Sequence, residues 1–95
     1  MHEDIERRRH PRSAYIRTLE YSGSLRALAG VLLCMSVDLS DSGICVYASD
    51  PLHEGESIEF KDALRVPYKK ACVRWVKRYS KDFYRVGLTF RSDGA

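Results

Sequence analysis

Two clusters of residues carry side chains suited to binding chemistry. The first is Arg8-x-x-x-Arg12 with Arg7 directly before it, so guanidinium groups crowd the start of the sequence. The second, further along, is Asp38-Leu39-Ser40-Asp41-Ser42-Gly43, of the form D-x-S-x-x-G. An arginine can donate two bonds to O6 and N7 of guanine, stack its planar group on a purine face, and pair with phosphate. A carboxylate such as Asp38 can accept from guanine N1–H and the exocyclic amine, and Ser40 can add a polar contact. Gly43 can supply a backbone turn that a Cβ would obstruct. Together these parts suit a ligand with two guanines and two phosphates. Taken singly, each cluster also has a local explanation: a basic tail is solvated, and Asp, Ser and Gly gather in turns whatever the function.

The elements flanking the clusters decide whether they meet. From Ala14 the segment AYIRTLEYS alternates, with Tyr15, Arg17, Leu19 and Tyr21 on one face. The segment GVLLCMSVDLS is apolar and β-compatible, with Val31, Leu33, Met35, Val37 and Leu39 sharing a face. If 14–22 and 30–39 pair as an antiparallel hairpin, opposed positions sum to about 52. Ala14 then faces Asp38, Arg12 lies beside Ser40, and the arginine arm meets the acidic turn at one end of the fold. In extended chain Asp38 and Ser40 point to the same side.

Beyond the Asp41-Ser42-Gly43 turn, ICVYAS, SIEF, VPYKKACVRWVKRY and DFYRVGLTF read as further strands separated by turn residues. Trp75 alternates with Ala71 and Val73, which assigns it to the core or the wall. Tyr84, Val86, Leu88 and Phe90 share a face. About six short strands with turns between them predict an all-β fold, a six-stranded antiparallel β-barrel. Residues 1–13 form a flexible, arginine-rich N-terminal arm, 14–91 the barrel and 92–95 a tail, with little or no C-terminal helix. Helical pattern is confined to one turn at Asp4–Arg8 and to SLRALAG.

With these motifs in place, the chain resembles the PilZ domain family. R-x-x-x-R at the start of a β-barrel followed by D-x-S-x-x-G is similar to that family's signature. Ala71-Cys72-Val73-Arg74-Trp75-Val76 and Tyr84-Arg85-Val86-Gly87-Leu88-Thr89-Phe90 resemble its last two strands. The resemblance spans roughly residues 6–91. It implies a receptor for cyclic di-GMP in which Arg8, Arg12, Asp38, Ser40 and Gly43 contact the ligand. It also implies a role for Arg7 in binding an intercalated ligand dimer, and leaves Arg9 unassigned. The output is expected in trans, through an unidentified effector protein contacted when the arm reorders.

Composition narrows the classes. The 95 residues suffice for one domain, and 44% hydrophobic with 31% charged residues is ordinary for a globular protein. No apolar run approaches the roughly 20 residues that span a bilayer, so no membrane insertion is expected. MHEDIERRR lacks the apolar stretch of a secretory leader, and a cytoplasmic location is expected. Cys34, Cys45 and Cys72 form no C-x-x-C pair and read as reduced core thiols. His2, His10 and His53 share no ligand spacing, so no metal and no cofactor are expected. No nucleophile–base pairing presents itself, and no catalytic residue is assigned. Two alternatives stand beside the receptor: a PilZ-like protein-interaction module that binds no nucleotide, and a small β-barrel that binds nucleic acid. The net charge of +3, with arginines clustered at one point, argues against the last.

Overall fold

Apolar side chains recurring at every second residue fold this chain into strands. The computed structural model describes residues 12–23 and 30–91. The stretch carrying Arg7, Arg8 and Arg9, the turn expected at Asp4–Arg8, the tail, and nearly all of SLRALAG lie outside the described residues. The strands are β1 (Ser13–Ala14), β2 (Thr18–Gly23), β3 (Leu32–Leu39), β4 (Gly43–Ala48), β5 (Ser57–Phe60), β6 (Lys70–Arg78) and β7 (Tyr84–Phe90). All pairings are antiparallel, and the neighbours run β2-β3-β4-β7-β6-β5 and back to β2. The result is the expected six-stranded barrel, with β1 as one extra strand on β3. Closure leaves no long unpaired edge among the six. Among the described residues no helix is long and apolar enough to cross a membrane.

The interior is filled by alternate residues of every barrel strand: Leu19 and Tyr21, Cys34, Ile44 and Val46, Phe60, Val73 and Val86 are all buried. Full burial of such a side chain contributes about 1.5–3 kcal/mol. Tyr21 reaches past this core to donate its hydroxyl to Asp50 Oδ2 at 2.8 Å, pinning the loop after β4.

Three strand readings need correction. The expected strand 14–22 is broken at 15–17, where the chain leaves β1 and rejoins β3 as β2. Ser36, 1% exposed, splices the break: its hydroxyl accepts from Arg17 N at 3.0 Å and donates to the Tyr15 carbonyl. Arg17 therefore leaves the face shared by Tyr15, Leu19 and Tyr21 and turns its guanidinium back to the Tyr15 hydroxyl at 2.8 Å.

The other two corrections come from β-bulges, one between Ser36 and Asp38 against β4 and one between Val73 and Trp75 against β7. An extra residue reverses which side chains face inward. Leu33 and Met35 consequently lie outside, half exposed, while Cys34 and Leu39 are buried. Val73 is buried, but Trp75 emerges on the outer wall and is 36% exposed.

Cys34 is a core thiol with a consequence for stability. Burial above all, and then the nearby negative charge of Asp62, push its pKa from 9.0 up to about 12. The unfolded thiol ionises near 9 and the folded one does not, so the unfolded state binds fewer protons between those values. Stability is untouched by this group below about pH 9. It is lost as pH rises from about 9 towards about 12, at up to about 1.4 kcal/mol per pH unit. Urea melts of wild type and Cys34→Ala at about pH 8 and about pH 11 check this. The stability advantage of wild type is expected to shrink at the higher pH, and a constant difference would refute the assignment.

Candidate functional site

At the end of β3 the second cluster meets Arg12, the last residue of the first. Ser13 stands opposite Leu39 and Ala14 opposite Asp38, the register expected from the hairpin. The side chain of Arg12 reaches Asp38, where Nη1 donates to Oδ1 at 2.8 Å. Both groups remain partly open to solvent, at 31% and 25% exposure. A pair this exposed contributes at most about 1 kcal/mol to stability. A pair this weakly held leaves Arg12 able to meet an anion and Asp38 able to meet N–H donors.

The segment following Arg12 is held from two sides. Arg65, in the loop between β5 and β6, donates Nη2 to the Ala14 carbonyl at 3.4 Å and lies over the Tyr15 ring at 4.7 Å. Arg17 contacts the same ring from its own side, 5.7 Å from the centroid. The aromatic face so flanked is an ordinary cation–π platform, and it anchors the segment that delivers Arg12.

Ser40 and Gly43 build the turn. The Ser40 hydroxyl accepts from the backbone N–H of Ser42 and of Gly43, each at 3.2 Å, and Ser40 is 6% exposed. Its side chain holds the turn that follows Asp38. Gly43 begins β4 with no positive φ. What excludes a side chain there is proximity: a Cβ would stand 2.4 Å from the Leu88 carbonyl oxygen on β7. The glycine is needed for a close strand crossing, where the sequence pointed to a turn conformation.

The two bulges give the site a second half. Asp38 pairs with Cys45 on β4, Cys45 with Gly87 on β7, and Gly87 with Trp75 on β6. A bulge precedes Asp38 on β3 and another precedes Trp75 on β6, so the carboxylate and the indole share one cross-strand row on the outer wall. Gly87 is the floor beneath the indole, because a Cβ there would lie 2.2 Å from Trp75 Cε2. Lys77 holds its ammonium 5.6 Å from the centre of that ring.

Arg85 lies across the middle of the row. Its Nε donates to Cys45 Sγ at 3.3 Å, and its Cζ is 5.9 Å from the centre of the Tyr47 ring. This cover accounts for Cys45 being 4% exposed on an outward-facing position. The bond to Cys45 favours the charged form of Arg85 most, and the negative charge of Asp38 adds to it.

Of the site residues expected from sequence, Arg12, Asp38, Ser40 and Gly43 come together, while Arg7 and Arg8 lie outside the described residues. Arg85, Gly87 and the outward Trp75 were missed. A signal existed for each: alternation around Val86 and Leu88 puts Arg85 and Gly87 outside, and a mid-strand glycine marks a close approach. Adjacent apolar Trp75 and Val76 mark a break in the β6 alternation.

No curated protein matches the chain. Comparison with protein-family models matches residues 6–94 to the PilZ domain. The match takes in the arginine motif, the 38–43 turn and all seven strands. It covers nearly the whole sequence, and the chain belongs to the PilZ domain family.

Proposed function

We propose that this protein is a cytoplasmic receptor for cyclic di-GMP that signals in trans to an effector protein. PilZ domains are a cyclic di-GMP-binding family of binding and adaptor modules. The observation that carries the reading to this chain is the exposed Arg12–Asp38 pair at 2.8 Å, beside the turn made by Ser40 and Gly43. Each member of the pair holds what the other needs in the absence of ligand. Cyclic di-GMP replaces both halves: its phosphates and purine acceptor edges take the arginines, and a guanine donor edge takes Asp38. Arg7, Arg8 and Arg12 close over the nucleotide against the turn, and Arg7 serves a second, intercalated ligand. Closure of the arm changes the surface around β1 and the end of β3, which is the surface the effector reads.

Isothermal titration with cyclic di-GMP, with GTP and cyclic di-AMP as controls, tests the reading. Saturable binding specific for cyclic di-GMP is expected. A stoichiometry near two ligands per chain that falls to one in Arg7→Ala supports the intercalated dimer. Arg8→Ala and Arg12→Ala each remove tight binding with the barrel still folded. Absence of heat and of competition with wild type would replace the receptor by an adaptor that binds no nucleotide.

A further inference from the structure

Arg85 is a cation with poor partners. Thiol sulfur is a weak acceptor, and the 3.3 Å bond from Nε to Cys45 is the hydrogen bond the Arg85 side chain makes among the described residues. The Tyr47 ring, at 5.9 Å, is at the outer limit of a cation–π contact. The terminal nitrogens of the guanidinium thus have donors in reserve. Arg85 is half-buried on the outer wall and bonds to Cys45, the residue paired with Asp38 across β3 and β4. Arg12 approaches Asp38 from the β1 side. The carboxylate thus has one arginine hydrogen-bonded to it in an exposed pair, and a second nearby whose side chain meets, among the described residues, only a thiol and a ring.

Guanine chemistry gives the second arginine a use. The edge that presents N1–H and the exocyclic amine also presents O6, directly beside N1–H. A carboxylate that accepts from the two donors leaves O6 next to it, seeking a donor of its own. An acceptor buried without a partner loses the full desolvation penalty, so a site that reads this edge needs a donor beside the carboxylate. Adenine carries an amine at that position, which a guanidinium repels as donor against donor.

Resting on the receptor reading above, we propose that Arg85 is a specificity-determining residue of the site, donating to O6 of the guanine whose N1–H and amine bond to Asp38. Its terminal N–H groups turn from the Cys45–Tyr47 surface to the base, and the short swing is set by the rigid β7 strand.

The test compares wild type, Arg85→Ala and Arg85→Met in titrations with cyclic di-GMP and in competition with cyclic di-AMP. Arg85→Met keeps the apolar stem that covers Cys45 and removes only the donors. Thermal melts of all three establish that the barrel is folded. Both variants are expected to bind cyclic di-GMP about 10- to 100-fold more weakly, the range for loss of a charged hydrogen bond. Cyclic di-AMP binding is expected to hold or strengthen, so that discrimination between the two dinucleotides falls by a similar factor. Equal binding of cyclic di-GMP by Arg85→Met and wild type would overturn the proposal. So would an equal loss for both dinucleotides, which would place Arg85 on a phosphate. Failure of wild type itself to bind cyclic di-GMP would remove the receptor reading and this inference together, and is told apart by that single titration.

Discussion

Asp38→Ala is expected to weaken cyclic di-GMP binding by about 100-fold or more, because two hydrogen bonds to a charged group are lost. The same change is expected to leave the fold nearly as stable as before. The carboxylate is a quarter exposed and its bond to Arg12 is a partly solvated pair, worth at most about 1 kcal/mol. For a domain of this size that is a shift of no more than about 4–8 °C in the melting midpoint. The ratio of the two effects separates a site residue from a structural one. Asp38→Asn sharpens the comparison, since it keeps the shape and one acceptor oxygen, and its amide can accept from N1–H while donating to O6. Its binding should fall less than that of the alanine variant, because the charge and one acceptor are lost but a paired edge remains. A large loss of stability in the alanine variant, or its binding of cyclic di-GMP within about threefold of wild type, would show that Asp38 serves the turn and not the ligand.

Where sequence reasoning reached the structure, it did so through period and turn chemistry. The hairpin register that set Ala14 opposite Asp38 followed from apolar alternation on two segments and a turn between them. The closing strand was legible end to end, because Val86 and Leu88 point inward over an uninterrupted pairing with β4. Alternation failed where an extra residue enters a strand. At Val37 and at Arg74 the two-residue period slips by one, and every assignment of face beyond that point reverses. Those slips are also what put Asp38 and Trp75 on the outer wall in one row with Cys45 and Gly87. The part of the site on β3 carried a local motif and was readable. The part on β6 and β7 exists only through pairing of distant strands, and Arg85 looked like an ordinary exposed residue of a two-faced strand. Gly43 was read as a turn residue and a ligand contact, whereas the structure gives it a close approach to the Leu88 carbonyl on β7.

Gly43→Ala is expected to destabilise the barrel by about 2–3 kcal/mol, lowering its melting midpoint by roughly 10–20 °C. The added Cβ would lie 2.4 Å from the Leu88 carbonyl oxygen, where ordinary contact begins at 3.4 Å. The obstructing atom belongs to the backbone of β7 and cannot rotate away, so β4 and β7 must separate by about 1 Å at this point. Separation strains the pairing of Gly43 with Thr89 and of Ile44 with Leu88, whose side chains are core. It also pulls Gly43 N from the Ser40 hydroxyl that closes the turn. Gly30 provides the control, because a Cβ there meets nothing within 4 Å, and Gly30→Ala should melt with wild type. The ligand offers a second reading of the same variant. Since Gly43 acts by letting two strands approach, folded Gly43→Ala at low temperature should still bind cyclic di-GMP, and saturating ligand should raise its midpoint. A variant that melts within about 2 °C of wild type yet has lost the ligand would reverse this assignment and make Gly43 a direct contact.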